Sequence, residues 1–411
     1  MKTPLSYFQK NILLMFKGTF LAKVIGVVGS VILAKIYGSE AFGFFGVFLS
    51  TSTFLALLNT LQLDYSIVTT KNKEESMNLM NSLFVITFII SSLSFLIYYV
   101  FLEFLLFNSY SFSLIFVSIF ASIILSFNKI HESHFTYIKN FKSISFAKII
   151  VTSFTIIFQI FLYNYFRLMG LIYGNLISLT LVSTYYFLIN KNMNPINFKR
   201  LLKTIKHNNS ILKYMLPSSL INSIALNLIP ILIASLFNIV EYGIYYLSLK
   251  ILSVPLFLIT SSVSQVYYEK SAKMYQRSKE KLYKLTKRIV LINMIIMLIY
   301  LAFINTIGIY LLELIFNKNW DNLRIFTYIL SFIVLARTSF NPISDIVVIL
   351  NKNYISLLFN IYLLIVNIFA IFIGYRFNNL IYSITIISIL GGVGYFINLF
   401  YFLSRLKEFE N

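Results

Sequence analysis

The 411 residues include no cysteine, which excludes disulfides and thiolate metal sites. Charge is scarce as well: Asp, Glu, Lys and Arg make up 12% of the chain, where a soluble domain carries about 25%. With 58% hydrophobic and 18% aromatic residues, too little polar surface exists to solvate a globule of this length. Carboxylates are scarcer than cations, 14 against 34, for a formal charge of +20. No glycine-rich phosphate loop of the Walker type occurs, so hydrolysis of ATP by that route is excluded. No long stretch between apolar runs could build an external enzymatic domain, and the chain is read as a non-enzyme without a cofactor.

What is present is a series of apolar runs, each about 20 residues and so long enough to cross a bilayer as a helix. In lipid every backbone polar group must bond within its own segment, so the fold class is an all-α polytopic membrane protein. Twelve spans are expected, at about 12–35, 41–66, 79–102, 112–130, 145–166, 168–190, 212–236, 242–267, 288–312, 324–349, 354–375 and 380–403. The first run lacks a small-residue cleavage site and is read as a transmembrane helix rather than a signal peptide. Spans one and two meet at Tyr37-Gly38-Ser39, and eleven and twelve at Asn378-Asn379.

Loop charge sets the orientation. Of the 34 lysines and arginines, four lie within spans, and Lys35, Arg167, Lys318, Arg324 and Arg376 face one side. The other 25 face the opposite side, which places both termini in the cytoplasm of a bacterial inner membrane. The basic loops suit anionic headgroups rather than nucleic acid, for which no folded domain exists. A repeat with an offset of 200 residues aligns Leu33-Ala34-Lys35-Ile36-Tyr37 with Ile233-Ala234-Ser235-Leu236-Phe237, and Phe42-Gly43 with Tyr242-Gly243. Such duplication marks secondary transporters. It divides the chain into a six-helix lobe at 1–190, a basic cytoplasmic linker at 191–211 and a second six-helix lobe at 212–411.

Charges inside spans are the candidate functional groups, because each costs about 3 kcal/mol or more at mid-bilayer unless it faces a cavity or a partner. They are Lys17 and Lys23 in span one, Lys250 in span eight and Arg337 in span ten. Lys23 shares a helical stripe with Thr19, Gly26 and Ser30, and Arg337 shares one with Asn341, Ser344 and Asp345. Lys17 lies close enough to the cytoplasmic end to snorkel. Asp64 and Asp345 are the only carboxylates read as near the spans, both towards the cytoplasmic ends. Span seven adds Asn222 among several serines and two prolines, polar groups able to bond sugar hydroxyls or neighbouring helices. His131, His134 and His207 fall in segments read as solvated cytoplasmic loops, where a metal site is the lesser reading. Lys23, Lys250 and Arg337 around one cavity would attract an anion, and phosphate groups suit Lys and Arg.

The stretch 33–48, LAKIYGSEAFGFFGVF, resembles the first outer turn of polysaccharide repeat-unit (O-antigen) flippases of the Wzx type. These belong to the multidrug/oligosaccharidyl-lipid/polysaccharide (MOP) exporter superfamily. The segments 61–79, 214–237 and 241–272, the last two containing LPSSLINS and SSVSQVYYEKSA, resemble the second, seventh and eighth helices of that family. The resemblance implies two six-helix lobes around a central cationic cavity that opens alternately to each side. It implies an undecaprenyl-diphosphate-linked oligosaccharide as substrate, held by Lys23, Lys250 and Arg337; Asn222 and Lys17 are read from their positions as further candidate contacts. It implies export driven by an ion gradient, of protons or sodium; Asp345, on the Arg337 stripe, is read from its position as the candidate coupling carboxylate. Membrane lipids and other polysaccharide-assembly membrane proteins are the remaining partners expected. Many relatives place an arginine beside the acid at the end of helix two; here Gln62-Leu63 precede Asp64, so no local ion pair is expected. Two alternatives stand beside this reading, a multidrug exporter of the same superfamily and a membrane-embedded polysaccharide polymerase.

Overall fold

The computed structural model describes residues 7–70, 72–104, 112–190, 212–213, 216–253, 263–264, 267, 270–271, 274–275, 278–316, 320–350 and 352–407, with side chains from Lys17 onward except at 97–104, 112–113, 218, 228, 348 and 353. The described residues are helical or lie in short turns, without a strand. In chain order the helices are α1 (Tyr7–Thr60), α2 (Asp64–Val68), α3 (Lys73–Phe104), α4 (Phe112–Tyr137), α5 (Phe141–Phe166) and α6 (Gly170–Ile189). They continue as α7 (Leu216–Leu236), α8 (Ile239–Leu252), α9 (Lys279–Phe303), α10 (Ile309–Ile315) and α11 (Leu323–Phe340). The last are α12 (Ile346–Ile349), α13 (Asn353–Arg376) and α14 (Leu380–Lys407). His207 and the linker expected at 191–211 lie outside the described residues.

Among the described residues, nine helices or joined helices are long and apolar enough to cross a membrane. Two of these, Lys17–Thr60 and Phe141–Ile189, are broken midway and read as two spans each. The first breaks at Gly38, whose φ of 74° and ψ of 178° an L side chain rarely adopts. The second breaks at the short 3-10 turn Arg167–Met169. Adding α8, which carries the eighth span as far as Leu252, brings the count to the expected twelve. Lipid is the only solvent that suits the outer faces. On α9, Leu291, Ile292, Ile295, Ile296, Leu298 and Ile299 are all exposed, an apolar band wide enough to precipitate a protein in water.

The chain forms two compact units, Met1–Tyr37 with Phe44–Ile231, and Gly38–Gly43 with Leu232–Asn411. In the first, Leu63, Ile67, Met80, Leu83 and Ile130 pack the end of α1, α2, α3 and α4 together. Phe135, Ile144, Ala147, Val182 and Tyr186 do the same for α4, α5 and α6. Gly18, Gly26 and Gly29 of α1 lie against Ser145, Thr152 and Ile156 of α5, the small residues letting the two helices approach closely. In the second unit the core runs through Leu282, Ala336, Phe340, Ile343, Leu399 and Phe402.

Two expectations from the sequence need correction. The polar residues after Asn128 do not end span four. The helix continues to Tyr137 and buries His131 and His134 at 0% and 1% exposure, so neither lies in a solvated loop. Their hydration is replaced by aromatic rings from neighbouring helices, which no local pattern announces. Span ten is not one helix to residue 349. It ends at Phe340, passes through a 3-10 turn at Asn341–Ile343 and resumes at Ile346. Pro342 lacks the amide hydrogen that would continue the helix, so Arg337 and Asp345 do not share one continuous helical face. Asp64, for which no local ion pair is expected, is instead paired with Lys129, far away in sequence.

Candidate functional site

The polar groups collect in two places, one in each unit. In the second unit α11 carries Arg337 at its last turn, half-buried among apolar neighbours such as Ala336 and Phe340. The guanidinium lies 6.0 Å from the ring centroid of Tyr395 on α14, within cation–π range. Its Nε is buried and has no acceptor among the described residues. A buried donor of this kind costs about 1–3 kcal/mol when left unmade, more for a charged group. Lys250, at the end of α8, is half-buried and lies 5.8 Å from the Tyr246 ring. Asp345 is half-buried in the turn after the Pro342 break.

In the first unit Lys17 and Lys23 are both exposed on α1. The stripe expected around Lys23 divides. Gly26 lies against Thr152 of α5, and the Ser30 hydroxyl is buried and donates to the Val27 carbonyl at 2.7 Å. Lys23 borders that packed face. Asn222 is exposed on α7. One turn on, the Asn227 amide donates to the Ser223 carbonyl at 2.9 Å and its Oδ1 accepts from Thr53 at 3.4 Å, so part of the polarity of span seven joins helices.

The residues that sequence reasoning missed lie where α2, α3, α4 and α6 meet. Leu61 and Gln62 both take positive φ, and this tight turn directs Asp64 inward at 2% exposure. Asp64 Oδ2 stands 3.3 Å from Lys129 Nζ on α4, and that ammonium also lies 5.4 Å from the Tyr65 ring. One turn along α4, Glu132 Oε1 accepts from the Tyr186 hydroxyl of α6 at 3.5 Å. His134 Nδ1 is 2.8 Å from the Ser76 hydroxyl of α3. His131 stacks on Tyr186 and meets Phe187 and Phe84, with Nδ1 at 2.9 Å from the Phe127 carbonyl. The sequence signal available was the density of Asn, Lys, His and Glu from 128 to 134 directly after an apolar run. No group of three or more histidines and carboxylates fit to hold a metal occurs among the described residues.

This helix order, with its broken long helices, defines a polytopic membrane protein. Residues 32–324 match the family described as polysaccharide biosynthesis protein, and the chain belongs to that family. Among solved structures the lipid II flippase MurJ in an inward closed conformation aligns with a TM-score of 0.75 at 15% identity, over 95% of this chain and 87% of that one. An inward-facing multidrug resistance MATE family transporter of the MOP superfamily aligns with a TM-score of 0.67 at 18% identity, over 96% and 95%. A MOP superfamily transporter from Pyrococcus furiosus, described as having a binding pocket of reversed polarity, aligns with a TM-score of 0.58 at 16% identity, over 98% and 96%. The fold is therefore that of MOP superfamily transporters. No curated protein matches the chain.

Proposed function

We propose that the protein is a flippase that moves an undecaprenyl-diphosphate-linked oligosaccharide from the cytoplasmic to the outer leaflet. It works by alternating access and is driven by an ion gradient. The observation that carries this reading is Arg337, a half-buried guanidinium whose Nε lacks an acceptor among the described residues. The missing acceptor is a ligand oxygen, and a guanidinium fork matches phosphate geometry better than any neutral group does. Membership of a polysaccharide biosynthesis family supports a sugar-bearing substrate, and the MOP transporter fold supports movement rather than chemistry. Lys250 and Lys23 add positive charge, and Asn222 and Lys17 are further contacts proposed for sugar and headgroup. Asp345 is kept as a candidate ion-coupling carboxylate.

The test is export of polymer in cells. Arg337→Ala should insert normally and abolish export, and Arg337→Lys should keep part of it, since a lysine retains the charge without the fork. Full export by Ala variants at Arg337, Lys250 and Lys23 would remove the support for an anionic substrate. In vesicles, lipid-linked sugar should move only with an imposed proton or sodium gradient or potential. Movement at full rate with every gradient collapsed, yet dependent on ATP, would exclude the proposed energy source.

A further inference from the structure

The functional reading above takes the place of Arg337 as given; the packing of α14 on α11 shows what holds it there. Ser388 Oγ donates to the Ile329 carbonyl of α11 and accepts from the Ile333 amide at 3.4 Å. One turn on, a Cβ on Gly391 would stand 2.7 Å from the Ile333 side chain, and one on Gly392 would stand 2.5 Å from the Phe332 ring. The missing side chains let the two helices approach closely. Gly394 does the same against α13, where a Cβ would stand 2.4 Å from the Tyr362 ring. The next step in this register brings together Arg337, four residues after Ile333, and Tyr395, four residues after Gly391. The guanidinium carbon lies over the Tyr395 ring at 6.0 Å from its centroid. The ring is itself fixed. It is 8% exposed, meets Phe359 of α13 edge-on at 4.8 Å and lies 6.4 Å from Phe340 of α11. A ring locked in this way cannot follow the guanidinium, so the ring sets where the cation rests.

We propose that Tyr395 is the positioning residue for Arg337, holding the guanidinium ready for a diphosphate oxygen. The inference deepens the flippase reading and rests on it for the identity of the anion. The ring face attracts the cation through its quadrupole and uses up no hydrogen-bond donor. Nε, which has no acceptor among the described residues, is therefore left for an oxyanion. Without the ring the long arginine side chain would sample several rotamers, and ordering it when the anion binds would cost affinity. The same contact explains why an arginine suits the site better than a lysine: a planar guanidinium lies well on a ring, and an ammonium has no plane to lay there.

Saturable binding of radiolabelled inorganic diphosphate to the full-length protein in nanodiscs tests this. Tyr395→Leu should weaken binding about tenfold, the size of a desolvated cation–π contact. Tyr395→Phe, which keeps the ring, should restore it. In an Arg337→Lys background Tyr395→Leu should cost about twofold or less, because the two residues act as a unit. Phe402→Leu alters the same apolar cluster two turns further along α14. It should lower the thermal unfolding midpoint as Tyr395→Leu does, yet leave diphosphate affinity in place. Equal losses from Tyr395→Leu in both backgrounds, or a loss in Phe402→Leu as large as in Tyr395→Leu, would reduce Tyr395 to packing and overturn the proposal. Absence of saturable diphosphate binding by the wild type would overturn it too. The flippase reading fails separately, as diphosphate binding that follows the expected pattern while lipid-linked sugar does not move.

Discussion

A methyl group on Gly243 would lie 2.9 Å from the amide nitrogen of Gly43: the two glycines meet backbone to backbone. The relation is reciprocal. A Cβ on Gly43 would stand 2.0 Å from the Ile239 carbonyl oxygen, and one on Gly243 would stand 1.8 Å from that of Ser39. Ser39 and Ile239, like Gly43 and Gly243, are 200 residues apart, the offset of the internal repeat. The contact is a close crossing of the Gly38–Gly43 segment with the start of α8, both within the second unit. Phe42, nearly fully buried, seals it by an edge-on contact with Trp320 at 5.7 Å.

Because the obstructing atoms are backbone, they cannot swing aside as a side chain would. Gly43→Ala and Gly243→Ala should each lower the thermal unfolding midpoint of the purified protein, by an amount corresponding to about 1–3 kcal/mol. The double variant should lose less than the sum, since both changes open the same crossing. Gly26→Ala meets only a Thr152 methyl at 3.3 Å and should be nearly neutral. Equal midpoints for all four proteins would show that the crossing yields freely.

The Asp64–Lys129 pair should respond unequally to its two deletions. Lys129→Met strands a carboxylate that is 2% exposed and should destabilise by about 3 kcal/mol or more. Asp64→Asn leaves a lysine side chain that is 37% exposed and can reach water, so the loss should be smaller. Unfolding midpoints in one detergent compare them. A larger loss for Asp64→Asn would mean that Asp64 is held by something other than Lys129.

Orientation is tested against a background free of cysteine. Single cysteines at Glu40, Asp321 and Asn378, all exposed, should react with an impermeant thiol reagent added to intact cells. Cysteines at Lys139 and Lys279, also exposed, should react only after permeabilisation. Ser39, at 4% exposure, is unsuitable although it lies in the same turn as Glu40. The reverse labelling pattern would invert the topology read from the loop charges.

The sequence by itself determined the class of the protein and the placing of most of its helices. A bilayer fixes the length of a span and forbids unpaired backbone, so hydropathy alone locates elements that a soluble protein would leave ambiguous. The turn at Gly38, the break at Arg167–Met169 and the closing turn around Asn378 all fall where the apolar runs pause. Tertiary structure alone decided which residues meet. Asp64 and Lys129 are 65 residues apart, and no local pattern couples them. His131, Glu132 and His134 look like a solvated loop until α3 and α6 supply the rings and hydroxyls that surround them. Pro342 permits either a kink or a full break, and packing chose the break that separates Arg337 from Asp345. Span positions follow from the solvent, which acts on each segment separately; pairings follow from contacts between segments, which exist only once the chain has folded.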